Sequence, residues 1–76
     1  MLELIEYMVR SIVDNSEDVR VNEVEGETLV VYEVSVADED IGQVIGKNGR
    51  IANALRTIVK SAAMTHGKKA TVEIIS

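Results

Sequence analysis

The chain has 76 residues, 46% of them hydrophobic and 28% charged, with no proline and no cysteine. That length supports one domain around one core. Without cysteine there are neither disulfides nor thiolate metal sites, and charges interrupt the apolar residues well short of the roughly 20 that span a bilayer. The net charge of −5 argues at first against a polyanionic partner, but it is unevenly divided. Residues 1–40 carry a net −10, with Arg10 and Arg20 as their only bases. Residues 41–76 carry a net +5, with Lys47, Arg50, Arg56, Lys60, Lys68 and Lys69 set against Glu73 alone. Such asymmetry points to one face built for a polyanion and another kept away from it.

Met1-Leu2-Glu3-Leu4-Ile5-Glu6 has early acids and no basic leader, so it does not read as a signal peptide, and a cytoplasmic location is expected. Leu2, Ile5, Met8, Val9 and Ile12 recur at spacings of three and four, which predicts a helix from about Leu2 to Asp14. Tyr7 falls on its polar side beside Leu4 and Ser11. A polar loop follows at residues 15–18. Val19 and Val21, then Val30, Tyr32, Val34 and Val36, alternate with other residues at period two, and Glu25-Gly26-Glu27 joins the two runs as a hairpin. Asp38, Glu39 and Asp40 suit the start of a short helix, with Asp38 as its cap. That helix runs to about Ile45 and is interrupted at Gly46 and Gly49. A longer helix from about Arg50 to Thr65 has the apolar stripe Ile51, Leu55, Ile58, Val59 and Ala62, closed by Gly67. The last strand is Ala70–Ile75. The order α-β-β-α-α-β predicts an α+β domain with a three-stranded sheet, three helices on one face, and a last strand parallel to its neighbour.

The most informative segment is Val44-Ile45-Gly46-Lys47-Asn48-Gly49-Arg50-Ile51. Two glycines without Cβ atoms allow a sharp turn and close approach of a ligand. Asn48 tolerates unusual backbone angles. The helix starting near Gly49 aims unpaired N–H groups at the loop, and Lys47 and Arg50 add full charges. These features suit a sugar-phosphate backbone.

Ile-Gly-x-x-Gly at a helix–helix junction, with strands outside it, resembles the KH domain, whose Gly-x-x-Gly loop clamps about four nucleotides of a single strand. Length, element order, Ile45-Gly46-Lys47-Asn48-Gly49-Arg50 and the closing strand are similar to the small bacterial KhpA family, with the type II KH order of elements. The resemblance implies single-stranded RNA as partner, with Gly46, Lys47, Asn48 and Gly49 as backbone clamp. Ile41 and Ile45 would supply apolar contact, Arg50 would lie beside the phosphates, and an edge strand around Val30–Val36 would form the far groove wall. It also implies self-association, or pairing with a KhpB-type KH protein, and a role as an RNA chaperone or post-transcriptional regulator.

Other readings are open at single residues. Ile41 suits core as well as groove, Arg56 and Lys60 suit a solvated helix face, and Lys68 and Lys69 suit solubility. His66 stands alone near a helix end. Tyr7 is a candidate mark of a dimer patch.

Gly42-Gln43-Val44-Ile45-Gly46-Lys47 is near a P-loop in pattern, but its glycines are one residue too close and Asn48 stands where Ser or Thr would meet magnesium. A dinucleotide loop needs a third glycine and a strand directly before it. With only Tyr7 and Tyr32 as aromatics, the sheet lacks the stacking platform of an RRM. No nucleophile elbow or acid–base pair is seen, so neither enzymatic activity nor a cofactor is expected. The competing class is a protein-interaction module that keeps the scaffold and binds a protein partner.

Overall fold

The computed structural model describes residues 1–75. Its elements are α1 (Leu2–Arg10), β1 (Arg20–Glu25), β2 (Leu29–Ser35), α2 (Ile41–Ile45), α3 (Arg50–Met64) and β3 (Lys69–Ile75), with short 3₁₀ turns at Ser16–Asp18, Asp38–Asp40 and Lys47–Gly49. The chain thus has the expected α+β order.

The sheet order is β1-β2-β3. β1 runs antiparallel to β2, from Arg20 opposite Ser35 to Glu25 opposite Val30. The hairpin closes through the Gly26 N–H, which donates to the Leu29 carbonyl at 2.9 Å. β2 and β3 are parallel, from Leu29 beside Lys69 to Ser35 beside Ile75. β2 is therefore the central strand. The expectation that Val30–Val36 forms an open groove wall is corrected here: its backbone is engaged on both sides, and β1 and β3 hold the free edges.

Alternate β2 residues Val30, Tyr32 and Val34 meet Ile5 and Val9 of α1, Val44 of α2, Leu55 and Val59 of α3, and Val72 of β3 in one core. All three helices thus cover one face of the sheet. Tyr32 is only 6% exposed, so its ring is core and unavailable for stacking. Burial, and then the Glu23 carboxylate beside it, push its pKa up to about 12.

Two helices depart from the sequence pattern. α1 ends at Arg10, not Asp14. The Ile12 N–H tightens to Val9, while the Asp14 and Asn15 N–H groups are diverted to the Asp40 carboxylate at 3.4 and 2.9 Å. On α3 the buried residues are Ala52, Leu55, Val59 and Ala63. Ile51 and Ile58 are exposed. Alanines let a helix approach a sheet closely, so the true stripe lies one residue away from the bulkier one. α3 ends as its glycine implies, with Gly67 at φ 70°. The Gly67 and Lys68 N–H groups return to the carbonyls of Met64 and Ala63, both at 3.0 Å.

Candidate nucleic-acid interface

α2 is only five residues long and stops because Gly46 leaves helical space, at φ 76° and ψ 170°. Asn48 (φ 57°) and Gly49 (φ 74°) are also left-handed. Three positive φ values within four residues turn the chain between α2 and α3. The turn is held by the Gly46 N–H on the Gly42 carbonyl at 2.9 Å and the Gly49 N–H on the Gly46 carbonyl at 3.1 Å. Lys47, Asn48 and Arg50 are exposed on this turn. Two ion pairs occur among the described residues, Arg10–Glu6 and Lys68–Glu25, and neither involves Lys47 or Arg50. A glycine-built turn and two cations outside any ion pair among the described residues therefore face solvent together.

Ile45 is exposed at the end of α2, next to this loop. Ile41 is half-buried and packs against the core. Asp38 makes no cap bond, contrary to expectation, and α2 has no side-chain cap. Asp40 is instead buried, at 1% exposure, immediately before α2. Its carboxylate accepts the Asp14 and Asn15 N–H groups and the Asn15 amide at 3.1 Å, while Glu39 accepts the same amide at 2.9 Å. Burial alone would raise the Asp40 pKa, but the bonds from Asn15 and Asp14 outweigh it and hold the carboxyl below the usual carboxylate range.

Arg56 does not project freely from α3. Its Nε donates to the Val72 carbonyl on β3 at 3.1 Å, and its Nη1 to Asn53 Oδ1 at 3.0 Å. Sequence reasoning missed this link. The signal was present in the positions 49, 53, 56 and 60, which follow one helix face from the loop. A second unassigned feature is an apolar cleft between α1 and α3, lined by Tyr7, Met8, Ile12, Ile51, Leu55 and Ile58. Tyr7 is 73% exposed there.

Residues 2–74 match the family described as KhpA/KhpB, KH domain. The chain belongs to that family. It is 56% identical over 75 residues to the RNA-binding protein KhpA of Clostridium perfringens, covering 99% of this chain and all of that protein. It is 49% identical to the KhpA of Caldanaerobacter subterraneus subsp. tengcongensis, with the same coverage. To the KhpA of Aquifex aeolicus it is 45% identical over 96% of this chain and 92% of the relative. No solved structure matches. No helix among the described residues is long and apolar enough to cross a membrane.

Proposed function

We propose that this protein binds single-stranded RNA, holding the sugar-phosphate backbone on the Gly46-Lys47-Asn48-Gly49 loop, and acts as a cytoplasmic RNA chaperone or post-transcriptional regulator without catalysis of its own. The observation that carries the reading is the exposed turn with positive φ at Gly46, Asn48 and Gly49, flanked by the charges of Lys47 and Arg50, which form no ion pair among the described residues. Relatives across nearly the whole length are named RNA-binding proteins, which supports it. Ile45 and Ile41 offer apolar contact beside the loop, with Ile45 the more accessible.

The test is a pair of measurements. Adding an RNA octamer shifts the amide resonances of residues 45–50. Lys47→Asp with Asn48→Asp keeps the circular dichroism spectrum and abolishes binding, because two negative charges then meet phosphate. Shifts confined to another surface, or unchanged affinity in the double variant, overturn the reading.

The α1–α3 cleft favours a second, compatible role, pairing with another copy or with a KhpB-type KH protein. A single weak site gains affinity when two are joined, through effective concentration. Sedimentation of the double variant separates the roles: pairing persists where RNA binding is lost.

A further inference from the structure

A polar path leads away from the glycine loop along α3. The Asn53 amide nitrogen lies 3.8 Å from where a Cβ on Gly49 would sit. The Asn53 oxygen accepts Arg56 Nη1 at 3.0 Å, and Arg56 Nε reaches the Val72 carbonyl at 3.1 Å. Because a guanidinium only donates, the oxygen of Asn53 must face Arg56, and its NH₂ is left turned toward the loop. Beyond Arg56, Lys60 and Lys69 line one cleft with Met64, Ala70 and Thr71. Loop, Asn53, Arg56 and the β3 backbone are thus linked by successive contacts. β3 is an edge strand with a single strand neighbour, so its outer backbone groups are open to other partners.

Arg56 is exposed, yet two protein acceptors pin it. Of its five N–H groups two are committed, and no carboxylate pairs with it among the described residues. A long side chain in solvent ordinarily loses entropy when it is held in one geometry. Here the Val72 carbonyl and Asn53 hold the planar fork before any ligand arrives. The remaining donors of this exposed side chain take no partner among the described residues.

We infer that Arg56 is a specificity-determining residue of the proposed RNA interface, pinned by Val72 and Asn53 so that its free N–H groups read a base with two adjacent acceptors. The inference rests on the RNA reading above. Guanine offers O6 beside N7, and cytosine offers O2 beside N3. Adenine and uracil alternate acceptors with donors on their edges, and an N–H facing Arg56 leaves an unmatched pair of donors. Lysine cannot replace this fork, because its ammonium is a point charge without planar geometry.

The test is fluorescence anisotropy with four oligouridine octamers that carry U, A, G or C at one central position. The wild-type protein binds the G or the C octamer about tenfold more tightly than the A and U octamers, and the arms show which of the two bases is read. Arg56→Lys keeps the charge and the binding of the U octamer but reduces the preference to within about twofold. Asn53→Ala releases the guanidinium and weakens the preference in the same direction, which keeps the inference testable where Arg56→Lys does not fold. A wild-type protein indifferent to the central base, or an Arg56→Lys protein with undiminished preference, overturns the inference while leaving RNA binding intact. Failure of every octamer to bind overturns the RNA reading itself.

Discussion

At Gly46 two independent constraints exclude a side chain. Its φ of 76° and ψ of 170° lie in a region essentially reserved for glycine. A Cβ there would also sit 2.7 Å from Ile51 Cγ1 and 2.9 Å from the Ile51 backbone nitrogen, which cannot swing away. Gly49 differs. It is left-handed at φ 74° and ψ 14°, and its nearest neighbour would be Asn53 Nδ2 at 3.8 Å. Asparagine tolerates that conformation. Gly46→Ala therefore lowers stability by about 2 kcal/mol or more, whereas Gly49→Asn stays within about 1 kcal/mol. Urea denaturation reads both, and equal costs would contradict the geometry. The spacing of the glycines was plain in the sequence, but the inequality between them depends on where Ile51 packs, which no local pattern records. Asp40 teaches the same lesson, since its partners Asp14 and Asn15 lie 26 and 25 residues away. Because its folded pKa is lowered from 3.8, the stability it contributes is present above that value and is lost as pH falls through the folded value. Asp40→Asn is accordingly less stable than wild type at neutral pH, and the gap in melting temperature closes on acidification from about pH 5 downwards. A gap that is constant across the titration would remove Asp40 from this role.

Among the elements, period-two alternation located β2 and the last strand almost to the residue, because inward residues such as Val30, Tyr32 and Val34 are large and β-prone, whereas β1 carries no alternating burial. The helices were read less well for two different reasons. α1 was drawn too long because its terminus is set by a tertiary acceptor, Asp40, and not by a local stop signal. The α3 stripe is rotated because large aliphatic residues outweigh alanine in a periodicity reading, although Ala52 and Ala63 are buried beside Leu55 and Val59. The strand order was also beyond the sequence reading: alternation marks strands but does not say which one is central, so β2 was mistaken for an edge. The rotation of α3 has a measurable consequence. Val59 is 0% exposed and Ile58 is 44% exposed. Val59→Ala costs about 2 kcal/mol, and Ile58→Ala less than about 1 kcal/mol despite deleting more carbon. The opposite ranking in chemical denaturation would restore the sequence stripe.

Across the whole molecule, the net −5 opposes a bound polyanion, and salt decides between two electrostatic effects. Repulsion from acids that do not touch the strand is screened as salt rises, which would strengthen binding. Phosphates held by cations release counterions, which makes binding weaken with salt at roughly −0.7 in the log–log slope per contact on single strands. The acids on α1 and the β1–β2 hairpin, such as Glu3, Glu6, Glu25 and Glu27, belong to elements other than the α2–α3 turn. Lys47 and Arg50 belong to that turn itself and are unpaired. If the proposed loop holds the strand, local contacts win, and the chain's acidity limits where RNA approaches without preventing it. With about three phosphate contacts, the dissociation constant rises about twentyfold between 50 and 200 mM salt, and Lys47→Ala reduces the slope by about 0.7. Glu3→Gln leaves the slope unchanged, since Glu3 lies on α1 and pairs with no cation among the described residues. An affinity that is flat or improves with salt would mean that long-range repulsion, not the loop, governs the encounter.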